Sequence, residues 1–124
     1  MRAILGLDHV QVAAPIGCEE PARAFYGGLL GLEELERPAA LGGAGGLWFA
    51  LGAQELHVGV LPADLLVPGR KAHPGFLVDP GELDVLAGRL ERANHPVTWD
   101  ERLDDRRRFY VDDPFGNRLE LLAR

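Results

Sequence analysis

Gly116-Asn117-Arg118-Leu119-Glu120-Leu121-Leu122 and Gly52-Ala53-Gln54-Glu55-Leu56-His57-Val58 are two versions of one stretch, and reading them together decides the fold. Each opens on a turn glycine, the two glycines being 64 positions apart, and in each a leucine precedes the polar residue of interest: Leu56 before His57, Leu119 before Glu120. Side chains alternate along a strand, so Leu119 and Leu121 share the core face and Glu120 takes the other. The same count buries Leu56 and Val58 and sets His57 apart from them.

Working outward, the rest of the chain repeats with these two strands. Leu5 to Ala13 reads as a strand, with Val10 and Val12 on one face and Leu7, His9 and Gln11 on the other. A helix follows, opened by Glu19, Glu20 and Pro21, buried through Ala22, Phe25, Tyr26 and Leu29, and ended by Gly27, Gly28 and Gly31. Three strands come next, near Leu32 to Arg37, Leu47 to Ala50 and Gln54 to Val60. After a turn-rich linker from Leu61 to Lys71 the order returns: a strand from His73 to Val78, then a helix with Asp79 as N-cap, Pro80 in its first turn and Glu82 as capping-box acid. Leu83, Leu86, Leu90 and Ala93 form the apolar stripe of this helix. Strands near Val97 to Asp100, Arg107 to Asp112 and Arg118 to Leu122 close the second copy. The expectation is an α+β fold of two tandem βαβββ modules, residues 1–64 and 65–124, within a single domain, 1–124.

Bulk composition narrows the function. A chain of 124 residues with 47% hydrophobic side chains can bury a real core. Nineteen acidic against thirteen basic side chains give a formal charge of −6, which works against nucleic-acid binding. The single cysteine, Cys18, excludes an internal disulfide, and no run resembles a membrane span or a signal peptide, so a reducing cytoplasm is the expected location. Glu19 and Glu20 beside Cys18 would raise its thiol pKa and argue against a nucleophile.

The repeat also carries chemistry. His9 and His73 lie 64 positions apart in the opening strands, and His57 and Glu120 lie 63 apart in the closing strands. If each sheet curls so that its second face lines a cup, three imidazoles and a carboxylate can converge. That nitrogen and oxygen set suits a divalent transition metal, iron, nickel, zinc or manganese, better than calcium or magnesium.

Leu7-Asp8-His9-Val10, Phe25-Tyr26, Leu30-Gly31-Leu32, Glu55-Leu56-His57, Ala72-His73-Pro74 and, most specifically, Asp113-Pro114-Phe115-Gly116-Asn117-Arg118-Leu119-Glu120 resemble the vicinal-oxygen-chelate superfamily. This is the superfamily of glyoxalase I, methylmalonyl-CoA epimerase, extradiol dioxygenases, fosfomycin-resistance and bleomycin-resistance proteins. The resemblance implies paired βαβββ modules forming a cup-shaped mixed sheet, assembly as a homodimer, and metal ligands where His9, His73 and Glu120 fall. It implies a fourth ligand at His57, where glyoxalase I and the epimerases carry an acid or an amide. Dioxygenase relatives use two histidines and one glutamate, which leaves His57 open between ligand and supporting residue.

Around this centre, alternation sends Arg108 and Tyr110 to the cup face as candidate holders of an anionic or phenolic substrate, with Phe109 and Val111 buried. Trp48 is a candidate pocket wall, and Glu55 shares a face with His57 as a candidate general base beside Glu120. Arg106 reads as a solvated turn residue, and His95, in Asn94-His95-Pro96, as a loop histidine outside the site. Gly42 to Gly46 is followed by a strand rather than a helix, so it reads as a turn and not a phosphate loop. The functional expectation is a metal-dependent enzyme acting on a small oxygen-chelating substrate, by glyoxalase-like lyase or isomerase chemistry or by dioxygenase chemistry. The alternative is a dimeric binding protein that sequesters a small molecule or drug without turnover.

Overall fold

The computed structural model describes residues 2–43 and 45–124; Ala44, inside the glycine stretch 42–46, lies outside the described residues, as does Met1. The chain forms two compact units, one ending at Leu66 and the other running from Val67 to Arg124. Each contains one four-stranded mixed sheet, and the two sheets share one topology.

In the first unit the strands are β1 (His9–Pro15), β2 (Glu34–Leu35), β3 (Leu47–Leu51) and β4 (Gln54–Leu61), in the order β1-β4-β3-β2. In the second they are β5 (Gly75–Leu77), β6 (Thr98–Asp100), β7 (Arg107–Asp112) and β8 (Arg118–Ala123), in the order β5-β8-β7-β6. The first strand of each unit lies parallel to the last, and the other pairs are antiparallel. A parallel pair needs a crossover connection, which the helix in each unit begins.

Strand limits follow from available partners. β1 pairs only with β4, whose first residue is Gln54, so the ladder starts at His9 opposite Glu55. Leu5 and Leu7, expected in the strand, lie ahead of this ladder and are 92% and 73% exposed. At its other end β1 runs past Ala13 to Pro15 because β4 continues to Leu61. β2 is reduced to two residues opposite Trp48 and Phe49. His73 stands just ahead of β5 rather than inside it, although the Glu120 amide donates to the Pro74 carbonyl and the Val78 amide to the Leu122 carbonyl.

The helices differ from expectation in two respects. The first, α1 (Glu19–Ala22), widens into a π-helical stretch over Arg23–Leu29, in which the Leu30 amide donates to the Phe25 carbonyl five residues back. Gly27 and Gly28 therefore lie within the helix, and only Gly31, at φ +76°, ends it. A β-carbon on Gly27 would sit 3.8 Å from the Phe49 ring, an ordinary contact, so this position has room for a small side chain. The second helix, α2 (Leu83–Arg92), starts four residues later than Asp79. Asp79 instead closes a turn, its Oδ1 accepting from the Gly81 amide, and Glu82 caps without a side-chain bond. The buried face of α2 is Leu83, Ala87 and Leu90, while Leu86 and Ala93 are only half-buried.

Each unit has its own core. Val12, Phe25, Tyr26, Phe49, Leu56 and Val58 fill the first, with Tyr26 set edgewise to Phe25 at 5.0 Å. Phe76, Leu83, Leu90, Phe109, Val111, Leu119 and Leu121 fill the second. The turn ahead of β8 is tied by Asp113, whose Oδ1 accepts from the Phe115 and Asn117 amides and whose Oδ2 accepts from Asn117 Nδ2.

The two turn glycines that marked the repeat both have positive φ, +59° at Gly52 and +90° at Gly116. Alanine at either costs roughly 1–2 kcal/mol of backbone strain. At Gly116 the new methyl would also stand 3.1 Å from Pro68, whereas at Gly52 it meets nothing within 4 Å. Urea unfolding should therefore show Gly116→Ala more destabilised than Gly52→Ala; equal losses would contradict this reading of the two turns.

Candidate metal centre

Glu120 is the focus of the second unit. It lies in the middle of β8 between Leu119 and Leu121, which face the core, and its own side chain is 10% exposed on the opposite face. Its partner in the β7–β8 register is Tyr110, and Gly75 is its partner in β5. His73, two residues before Gly75, brings Nε2 to 3.0 Å from Glu120 Oε1. Arg108 Nη1 donates to the other oxygen, Oε2, at 3.2 Å.

The His73 ring is oriented by the backbone. Its Nδ1 lies 2.8 Å from the Lys71 carbonyl oxygen, which can only accept, so Nδ1 carries the hydrogen. Nε2 then presents its lone pair to a carboxylate oxygen. Two acceptors at 3.0 Å repel unless a cation, a proton or a metal ion, stands between them. An imidazole that donates one ring N–H to a carbonyl and offers the other nitrogen beside a carboxylate has the arrangement metal-binding histidines adopt.

Arg108 is committed to holding this carboxylate. Its Nη2 donates to Asp100 Oδ2 at 2.9 Å, and its buried Nε has no hydrogen-bond partner. Asp100 also accepts from Arg102 Nε at 2.8 Å and from Arg102 Nη2 at 2.6 Å. The Arg102 hydrogen bonds, with Arg108 adding to them, hold the Asp100 carboxyl far below the ordinary carboxylate range. For Glu120 burial alone would raise the pKa, but with a proton standing between it and His73 that bond, together with the one from Arg108, outweighs burial and the net direction is downward. Tyr110 stands edge-on to His73 at 5.5 Å, and the Arg118 guanidinium lies 4.0 Å above the Tyr110 ring.

The first unit places its candidates in a stack. His57 lies between two rings, with Trp48 at 3.8 Å and an interplanar angle of 4°, and His9 at 4.2 Å and 19°. Trp48 is the cross-strand partner of His57, which puts both on the face opposite Leu56 and Phe49. The sequence set His57 apart from the buried leucines, and the structure does give it the other face, yet the stack leaves it 6% exposed. Glu55 Oε1 lies 2.9 Å from His57 Nε2, and Asp8 Oδ2 lies 2.9 Å from His9 Nδ1. Each ring thus has one nitrogen against a carboxylate and one left over. Parallel rings direct those remaining lone pairs along parallel planes, so His9 and His57 do not aim at one point in this stack. His9, 44% exposed, has room to turn; His57 does not.

Among the described residues, no group of three or more histidine, cysteine, aspartate or glutamate side chains is gathered for a metal. What is present is an assembled nitrogen and oxygen pair, His73 and Glu120, and a histidine pair, His9 and His57, in separate units. Asp100 and Arg118 were missed at the sequence level. Arg118 was legible, since it is two residues from Glu120 and so shares its face; Asp100 was not, because only the β6–β7 register sets it opposite Arg108. Cys18 is buried, and burial followed by the bond to Glu19 pushes its thiol up to about 11, which removes it as a nucleophile. No helix among the described residues is long and apolar enough to cross a membrane.

Because the folded pKa of Glu120 is depressed, its contribution to stability is present above the unfolded carboxyl value, roughly pH 4.3, and is lost as pH falls through the lower folded value. In chelator-treated protein, Glu120→Gln should flatten the acid limb of a stability-against-pH curve relative to the parent. An unchanged limb would mean that Glu120 is not held as its contacts imply.

No family model matches the chain, and no curated protein matches it either. Solved structures do. A glyoxalase family protein from Bacillus anthracis is 46% identical, with 99% of this chain and 98% of that one covered and a TM-score of 0.90. Lactoylglutathione lyase from Agrobacterium tumefaciens shares the fold at 21% identity and a TM-score of 0.70, covering 98% and 96% of the two chains. A genomically encoded fosfomycin resistance protein from Listeria monocytogenes shares it at 19% and 0.75, covering 98% and 94%. With 46% identity over almost the full length of both chains, and the duplicated βαβββ topology in place, this protein belongs to the glyoxalase family of the vicinal-oxygen-chelate superfamily.

Proposed function

We propose that the protein is a metal-dependent enzyme acting on a small substrate that offers two neighbouring oxygens, by lyase or isomerase chemistry of the glyoxalase kind. One observation carries this reading: His73, its Nδ1–H tied to the Lys71 carbonyl, turns the lone pair of Nε2 toward the Glu120 carboxylate at 3.0 Å. That donor set fits iron, nickel, zinc or manganese. His73 and Glu120 would hold the ion; the superfamily resemblance adds His9, with His57 as the candidate fourth donor, from the same chain or from a second copy. Family membership at 46% identity supports the same reading, as does the repeat that pairs His9 with His73.

When bound, such an ion supplies Lewis-acid polarisation of the substrate oxygens. The chain's own residues divide the remaining work. Glu120 has both oxygens engaged, by His73 and Arg108, so it serves as an oriented anionic donor rather than as a proton carrier. Glu55, whose Oε1 faces His57 Nε2, is the better placed general base, with the imidazole able to take or return the proton. Trp48 fixes the His57 plane from one side. Arg108 keeps Glu120 ionised and aimed, and Asp100 keeps Arg108 in place. We propose a homodimer in a cytoplasmic setting as the working form, on the superfamily resemblance and the single cysteine.

Protein purified without an affinity metal column should contain a transition metal at close to one per chain, measured by elemental analysis. His73→Ala should lose it while the far-ultraviolet circular dichroism stays that of the parent. Absence of metal from the parent, with no binding of added zinc, nickel, iron or manganese, would leave sequestration without turnover as the reading. Arg108→Met keeps the aliphatic stem but frees Glu120 Oε2, and should weaken metal binding roughly 10- to 100-fold in competition with a chelating dye.

A further inference from the structure

A cleft of about 630 Å³ opens within the second unit, beside the face that carries Glu120. Tyr110, Arg118, Arg70, His95 and Thr98 are among its walls. Tyr110 links it to the metal residues, since the same ring that lines the cleft stands edge-on to His73 at 5.5 Å.

The arginines of β7 and β8 are not equivalent. Arg107 forms a two-point pair with Asp84, and Arg108 spans Glu120 and Asp100. Arg118 has no carboxylate partner among the described residues. It donates from Nη1 to the Arg70 carbonyl at 3.2 Å and otherwise rests on the Tyr110 ring at 4.0 Å. A guanidinium has five N–H donors in its plane, and a ring beneath it occupies only its face, so most of that donor edge is left for something else.

Two carboxylates also line the cleft, and neither opposes an incoming anion with an uncompensated charge. Asp112 is paired with Arg70 at 2.9 Å. Asp113 is turned to its own loop by bonds from two amides and Asn117 Nδ2. The half-buried Arg118 is therefore the cation not matched by an acid on this wall.

We propose that Arg118, seated on Tyr110, is a specificity-determining subsite for a carboxylate of the substrate, so that the substrate is an organic anion with its chelating oxygens at one end and a carboxylate at the other. Arg118 and Glu120 are two residues apart on one face of β8, which sets the two ends roughly 7 Å apart along the strand. The planar fork of arginine matches a carboxylate's two oxygens, and the aromatic seat reduces the freedom lost on binding. The assignment of the chelating end rests on the metal reading above; the carboxylate end rests on Arg118 alone.

Calorimetric titration of the full chain, zinc-loaded and metal-free, with three probes separates the two. 2-Oxoglutarate carries both ends, 2-oxopentanoate lacks the distal carboxylate, and glutarate lacks the chelating 2-oxo group. In zinc-loaded protein 2-oxoglutarate should bind best, and Arg118→Met should weaken it roughly ten- to hundredfold while leaving 2-oxopentanoate unchanged. Arg118→Lys, which keeps charge but not the fork, should fall between. Should the metal reading fail and the subsite hold, glutarate and 2-oxoglutarate will bind equally, in an Arg118-dependent way, with or without zinc. Equal binding of 2-oxoglutarate and 2-oxopentanoate, equal weakening of both by Arg118→Met, or no saturable binding of either dicarboxylate at millimolar concentrations would overturn the proposal.

Discussion

In each unit the first strand lies parallel beside the last, and everything at the candidate centre descends from that pairing. The ladder puts His9 opposite Glu55 in one unit and Gly75 opposite Glu120 in the other, so the start of each unit is brought beside its end: His9 stacks on His57, and His73 reaches Glu120. Strand alternation then gives the core face to Leu56, Val58, Leu119 and Leu121, leaving His57 and Glu120 the other face without loss of apolar packing. A one-residue slip in either ladder would exchange the two sets, placing a carboxylate or an imidazole in the core.

The same geometry has been used differently in the two units. In the second it gathers charge: Glu120, Arg108, Asp100 and Arg102 form a chain of ion pairs beginning at His73. A carboxylate taken out of water is costly unless its oxygens are matched; Arg108 matches Oε2, and a cation between Oε1 and His73 Nε2 would complete the match. In the first it gathers rings, His9, His57 and Trp48, with the acids Asp8 and Glu55 at the ring edges. The second unit thus holds a fixed, buried carboxylate, and the first holds stacked imidazoles with carboxylate partners. Arg118, which has no carboxylate partner among the described residues, lies two residues from the fixed donor on the same strand.

Much of the architecture could be read from residues alone. The spacing of His9, His73, His57, Glu120 and the two turn glycines established the duplication, and leucine alternation established which face each polar residue takes. Both are short-range consequences of a two-residue period and survive errors in strand limits. The limits themselves were less legible. Leu5 and Leu7 look like strand residues until one knows that β4 begins too late to pair with them. Asp79, Pro80 and Glu82 look like a helix start, but Asp79 bonds to the Gly81 amide and the helix waits until Leu83.

By itself, then, the order of residues determined the repeat, the identity of the polar side chains and the face each occupies, because these depend on local periodicity. Tertiary structure alone decided which of those side chains meet. It set the His73 tautomer through a backbone carbonyl, tied Arg108 to Glu120 and Asp100 rather than leaving it for a substrate, and stacked His57 between His9 and Trp48. The physical reason is that hydrogen bonds and ring stacks act over a few ångströms between strands far apart in the chain, and only the register of the ladder brings those strands within reach.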